Sequence, residues 1–384
     1  MKKLLGLASA LAVLTVGAAD GLTQTKESVR LPFIQTFSGI AVDFGERMWR
    51  EGVLPALKII NEQQGGINGR PLEFYKVDNK FPDTAAFLAE FRRLCADNNI
   101  PILYGIGATK TTIAIFEDLK KCGMPGFNPS SAGSWPFPDF GGWLFRYQPN
   151  PDKTLPTMLM AVKDKLNLKT IALSHTLDDD FAVNNIKIAR ATLDKAGVKV
   201  VSETSFKTKE TNFASQVANY RAANPEAMLL LHQPWDAGTF LLQLRDRGVQ
   251  GQALADAIVA GEDFWKLSQG KAKGAIGYAT YAADDPRPIV QNWLKLWRET
   301  TKRPNDAPDG FVTAYYEGTF ILADVLRSVK DINDRKQIRD AFLKIKDRES
   351  VSGKISWPEV GDTVRSEAVL VQVGDNGVLK KWPN

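Results

Sequence analysis

The 384-residue sequence predicts an α/β protein built from two similar doubly wound halves. Two observations predict it. Short β-branched apolar runs alternate with amphipathic stretches at helical spacing, the order that gives a parallel sheet covered on both faces. That rhythm stops at Gln148-Pro149-Asn150-Pro151-Asp152, a breaker cluster, and then starts again.

The elements follow in order. Met1-Lys2-Lys3, the apolar Leu4–Val16 and the small Gly17-Ala18-Ala19 have the three parts of a secretory leader over residues 1–19. A buried N-terminal helix is the alternative, but the run lacks the polar 3.6-residue period of a surface helix. No cysteine follows the cleavage position, so no lipid anchor is expected. Val29–Thr36, Leu72–Val77, Ile100–Gly105 and Met124–Asn128 read as strands, separated by helices over about 42–61, 83–97 and 110–122. Trp143–Tyr147 reads as a further short strand before the breaker cluster.

The second half brings strands at Lys169–Ser174, Val198–Ser205, Glu226–Leu231 and Gln252–Ala257. Helices of about 153–166, 180–196, 212–223 and 236–247 lie between them. Gly197 closes one helix, and Thr211-Asn212 opens the next. Ala275–Tyr281 and Ala282–Pro286 look like a second crossing between halves. Helical stretches follow near 287–302, 311–329 and 335–346, and then a hairpin with a glycine turn at 374–377. Extra helices after a second α/β unit suggest two lobes that exchange segments.

Composition narrows the partners. At 44% apolar and 24% charged, this is an ordinary globular chain. The formal charge of +5, two units of it from the leader lysines, is too small to predict a nucleic-acid or membrane partner. Two cysteines, Cys95 and Cys122, at the ends of successive helices read as one disulfide in an oxidising compartment or as two buried thiols. His175 and His232, far apart, make no zinc site, so neither metal nor cofactor is expected. Enzyme motifs such as Gly-x-Ser-x-Gly and His-Glu-x-x-His are missing, so no turnover is expected.

Asn61–Leu72, with Gly65-Gly66-Ile67-Asn68-Gly69-Arg70-Pro71, is the most specific stretch. A helix ends in three glycines that allow a tight reversal, and a strand begins at once. The stretch resembles the type I periplasmic solute-binding proteins, in the branch of the leucine/isoleucine/valine-binding protein. Ser38-Gly39, Phe44-Gly45, Arg146–Asp152, Phe240–Gly248 and Asp309–Gly318 agree with that resemblance, which runs from about Val29 to the end of the chain. It implies two lobes joined by three hinge crossovers, with 29–149 plus 284–348 in the first and 150–283 plus 349–384 in the second. It also implies a small-molecule carboxylate ligand, the membrane permease of an ABC importer as partner, a periplasmic location, and action as a monomer.

Ligand-binding candidates sit on loops at strand ends. Gly105–Thr112 ends a strand and opens a helix, where first-turn amides, helped by Ala108, Thr109 and Lys110, can hold a carboxylate. The same loop fails as a dinucleotide fingerprint or a phosphate loop, since a third glycine is missing and Thr109 stands where glycine is needed. The resemblance adds Ser38 and Phe44 after the first strand, and Ser130, Ser131 and Ala132 in the second loop, where a solvated turn is the alternative for each serine. From the second lobe it adds Phe181, His232, Trp235 and Asp256, and from the late helix Phe311. Phenylalanine stands at Phe44 and Phe181, where the family often has tyrosine. Asp256 is the acid that would pair an ammonium. Trp235 would cover a ring or an aliphatic chain, or pack in the lobe core. The expected solute is a hydrophobic amino acid or related small carboxylate. An aromatic or aliphatic acid or amide without an amino group, and a receptor's sensing subunit, are the alternatives.

Overall fold

The computed structural model describes residues 27–136, 142–358, 362–365 and 369–383. The leader expected over 1–19 lies outside them. The first lobe is built on β1 (Val29–Gln35), α1 (Val42–Arg47), a π-helical turn (Met48–Val53), α2 (Leu54–Glu62) and β2 (Leu72–Asp78). It continues with α3 (Thr84–Ala96), β3 (Leu103–Tyr104), α4 (Thr109–Lys121), β4 (Gly126–Asn128) and β5 (Leu144–Arg146). Its five strands are parallel, in the order β2-β1-β3-β4-β5.

The second lobe holds α5 (Pro151–Leu166), β6 (Thr170–Thr176), α6 (Asp180–Ala196), β7 (Lys199–Phe206) and α7 (Ala214–Ala223). Then come β8 (Ala227–Leu231), α8 (Pro234–Asp246), β9 (Gln252–Ala255), a 3-10 turn (Ala257–Ala260), α9 (Glu262–Leu267) and β10 (Ile276–Ala279). The chain returns through α10 (Pro288–Thr301), α11 (Gly310–Ser328) and α12 (Arg335–Leu343), of which α11 packs against α2 and the π-helical turn of the first lobe. A small antiparallel sheet of β11 (Arg348–Ser350), β12 (Gly353–Ser356) and β13 (Val364–Arg365) follows. Finally β14 (Val369–Val373) and β15 (Leu379–Lys381) add antiparallel strands beside β10.

The parallel part of the second sheet runs β7-β6-β8-β9-β10, which repeats the order of the first. Each sheet therefore reverses direction once, between β1 and β3 and between β6 and β8. The crevice beyond the strand tips at such a reversal is where open α/β sheets hold ligands. Continuous apolar strands feed both cores: β8 is buried along its whole length, and Phe33, Tyr104, Phe127 and Phe145 pack from neighbouring strands of the first lobe.

The first crossover is pinned by Arg146. Its buried guanidinium makes two bonds to Asp362, at 2.9 and 2.6 Å, and one to the Gly133 carbonyl. Trp357 donates to the Arg146 carbonyl and packs edge-on against Phe127 and Phe342, while Thr363 donates to the Arg146 carbonyl as well. Trp357, Asp362 and Thr363 are thereby tied to Arg146 of β5. Cys95 and Cys122 form a disulfide between the ends of α3 and α4, and Arg335 of α12 donates to both cysteine carbonyls.

Candidate functional site

The loop after β3 turns on three successive left-handed residues, Gly105 (φ 102°), Ile106 (φ 62°) and Gly107 (φ 91°). Side chains at both glycines are excluded by neighbours as well as by φ. A Cβ on Gly105 would fall 2.2 Å from the Ile34 carbonyl, and one on Gly107 would fall 2.3 Å from Asn79 Nδ2. The loop is thereby pressed against the tip of β1 and delivers the chain into α4.

Helix α4 begins without a side-chain cap. Ala108 occupies the N-cap position, where a hydroxyl or carboxylate usually satisfies an amide of the first turn. Thr109 is the first helical residue, one position earlier than the sequence suggests. Its hydroxyl accepts from the Gly133 N–H at 3.0 Å and bonds to Ser131 Oγ at 3.0 Å. Thr109 therefore ties the two loops together, and the open amides beside it are the anion-seeking element.

Asn128, at the end of β4, organises the second loop. Its carbonyl oxygen accepts from the Ser130 and Ser131 amides, and its Nδ2 donates to the Gly107 carbonyl and to Thr112. Beneath it, Gln35 donates to the Tyr315 hydroxyl at 2.6 Å, and Ser130 bonds to the same hydroxyl. This floor is polar, buried and internally satisfied.

Above the floor lies a narrow cavity of about 40 Å³ between the lobes. Its first-lobe walls include Gln35, Thr36, Phe44, Phe81, Ala108, Thr109, Ser130 and Ala132, with Phe311 from the start of α11. The second lobe contributes Phe181, Gln233, Trp235 and Ile258. Trp235 stands edge-on to both Phe44 and Phe81, so an aromatic seam crosses the cleft. Among the described residues, none of the side chains lining this cavity carries a charge.

Eight of the residues expected from sequence meet there: Phe44, Ala108, Thr109, Ser130, Ala132, Phe181, Trp235 and Phe311. Five do not line it. Ser38 is exposed at the start of a 3-10 turn. Lys110 points out and donates to the Asp178 carbonyl of the opposite lobe. Ser131 is turned under the loop, where it accepts from the Trp135 indole N–H. His232 is a core residue, stacked on Phe206 at 4.0 Å and bonded to Thr176 and Ser174; burial holds its pKa well below the ordinary histidine value.

Asp256 is the fifth. It is fully buried, with one oxygen accepting from Asn185 at 2.7 Å and the other from the Ile258 N–H. Burial pushes its pKa up to about 7. Two more acids of the same lobe share this state. Asp179 is raised by burial to about 6 and accepts from Gln233 at 2.6 Å. Asp236 is raised by burial, reinforced by Asp179 and Asp178, to about 7. Burial thus favours the uncharged form of all three carboxyls, and none of them is among the residues lining the cavity.

Phe81 and Ile258 line the cavity without having been expected, and Gln233 lies in the 232–235 segment that was expected to face the cleft. The signal for each was position alone, just beyond the carboxyl ends of β2, β8 and β9.

A family model described as periplasmic binding protein matches residues 28–377. The chain belongs to the periplasmic binding protein family. It is a binding protein and not an enzyme. It is 26% identical over 373 residues to an amino acid binding protein of Pseudomonas aeruginosa, covering 96% of this chain and 97% of the relative. Among solved structures it is similar to LivJ of Streptococcus pneumoniae in complex with isoleucine, at 21% identity and TM-score 0.79, covering 92% of this chain and 98% of that one. It is also similar to the leucine binding protein LivK of Thermotoga maritima, at 18% identity and TM-score 0.79, covering 92% and 97%. These likenesses show the two-lobed fold. No helix among the described residues is long and apolar enough to cross a membrane.

Proposed function

We propose that this chain is the extracytoplasmic solute-binding subunit of an ABC importer, exported by its 1–19 leader, and that it closes on a hydrophobic amino acid or related small carboxylate. The observation that carries the reading is the uncapped start of α4, which opens onto a cavity otherwise walled by aromatic rings. A carboxylate at those amides gains charge-assisted bonds of roughly 1.5–3 kcal/mol each, and the apolar body lies against Phe44, Phe81, Phe181, Trp235 and Phe311. An ammonium would face the second-lobe wall at Gln233, whose side-chain oxygen can accept from it. The relatives bound to isoleucine and named for leucine support this class of solute.

A second reading rests on one observation. Both oxygens of Asp256 are occupied inside its own lobe, and among the described residues no charged side chain lines the cavity. A buried ammonium without a partner is costly, which favours an acid or amide with no amino group. Thermal-shift and calorimetric titration with leucine, isoleucine, phenylalanine, benzoate and their amides decides between them. Selective binding of the amino acids supports the first reading, and binding of benzoate alone supports the second. If no compound with a carboxylate or amide raises the melting temperature, the placement of the site is wrong.

A further inference from the structure

One charged cluster joins the two lobes at the rim of the cavity and takes no part in lining it. Arg47, at the end of α1, is 5% exposed, and its guanidinium carbon lies 5.8 Å from the centre of the Phe44 ring. Across the cleft, Nη1 and Nη2 donate to the two oxygens of Asp263 at 3.1 and 2.8 Å. Nε stands 3.4 Å from a Glu262 oxygen, and both of these acids belong to α9 of the second lobe.

The first lobe answers with an acid of its own. Asp309 lies 3.4 Å from Arg47 Nη2. One Asp309 oxygen caps α11 by accepting from the Phe311 N–H at 2.6 Å, and the other accepts from the Glu262 N–H at 2.7 Å. A single residue thus holds the cavity-wall Phe311 on one side and the opposing α9 on the other. Around this centre stand Arg303, paired with Glu262 and Asp306 and 3.7 Å from Glu51, and Lys266, paired with Glu262. Burial opposes the charge on Arg47, but Asp309, Asp263 and Glu262 outweigh it and hold the guanidinium ionised.

We infer that the Arg47–Asp263 pair is a latch that holds the lobes closed by charge, and that Arg47 is a positioning residue for solute retention. The geometry exists only when α9 lies against α1. When the lobes part, Asp263 and Glu262 return to water and Arg47 keeps Asp309 alone. Because Arg47 sits beside Phe44, and Asp309 caps the turn bearing Phe311, seating the latch also seats two walls of the cavity. Charge pairs withdrawn from water at an interface act chiefly on the rate of separation, so the latch governs release. This inference rests on the two-lobed trap of the proposed function, but not on which solute it carries.

The test needs no ligand. Ile40 and Leu177 are 38% and 50% exposed, follow β1 and β6, and mark the two lips of the cleft. Both native cysteines are in the disulfide, so spin labels on Ile40→Cys and Leu177→Cys report the opening of the cleft without competition. In 50 mM salt the parent chain should give one short distance. Asp263→Asn, or 500 mM salt on the parent, should add a longer population. Identical distance distributions for parent and Asp263→Asn overturn the latch. If that variant does not fold, Glu262→Gln carries the same test. For whichever of leucine, phenylalanine or benzoate binds, release from Asp263→Asn should be about tenfold faster, and a rate equal to the parent's also overturns it. Failure of every solute to bind would instead count against the proposed function and leave the distance result standing.

Discussion

Gly133→Ala probes closure where the two lobes approach through backbone. A Cβ on Gly133 would lie 2.8 Å from the Phe181 Cα and 2.9 Å from Thr109 Cγ2 and Oγ1. Carbon atoms rest at about 3.5–4.0 Å, so the new methyl is roughly 1 Å too close to a main-chain atom of the opposite lobe. Thr109 has little freedom to yield, because its hydroxyl already accepts from the Gly133 N–H. Phe181 escapes only if the lobes move apart. Overpacking of this kind costs about 1–3 kcal/mol, and the part due to Phe181 falls on the closed form alone. The expected result is a dissociation constant raised about 5- to 150-fold. The contact with Thr109 persists in the open form, so the ligand-free melting temperature should fall by a few degrees at most, at about 2–4 °C per kcal/mol. Calorimetric titration with the tightest binder among leucine, isoleucine, phenylalanine and benzoate, alongside thermal melts without solute, separates the two effects. An unchanged dissociation constant would mean that the liganded lobes do not meet at Gly133 and Phe181, and the closure argument would fail.

Two further outcomes follow from buried groups. Asp256 is raised from 3.8 to about 7 by burial, so folding favours its protonated form. That contribution is fully present below the unfolded pKa and is lost as pH rises through 7, amounting to roughly 4 kcal/mol at most for this group. Thermal melts should therefore show lower stability at pH 8 than at pH 5, and Asp256→Asn should flatten the trend; an unaltered slope would mean that Asp256 does not cause it. Replacing Cys95 and Cys122 together with alanine opens a link across 27 residues and should cost about 3–4 kcal/mol in denaturant unfolding. A loss below ~1 kcal/mol would show that α3 and α4 are held by packing instead.

Much of the fold was legible because its signals are local. The strands are apolar runs between glycine and proline breaks, and the long helices carry their period and end signals, so elements such as Thr170–Thr176 and Asp180–Ala196 fall close to where the pattern places them. The repeated strand order was not legible, since neighbours in a sheet are chosen by tertiary packing. Strands β11–β13, of two to four residues, are too short for a period of two to register. At the site, loop position identified the residues that meet in the cavity, whereas side-chain direction escaped. His232 and Asp256 both follow strands that point at the cleft, yet each turns into its own lobe to satisfy a hydrogen-bonding need that the linear sequence does not display. Arg47 was missed for a related reason: its partners lie more than 200 positions away.

The π-helical turn at Met48–Val53 sets the aim of everything before it. The Leu54 amide there reaches back five residues to the Trp49 carbonyl, so the coil carries one residue more than an α-helix would need. Each residue of an α-helix advances about 100° around the axis. Removing that surplus residue would leave Val53, Ala56 and Ile60 in the core and swing the preceding segment by roughly that angle, carrying Phe44 and Arg47 out of the gap between the lobes. An insertion of the smallest possible size, placed one turn away, is what points an aromatic ring and a cation at the far lobe.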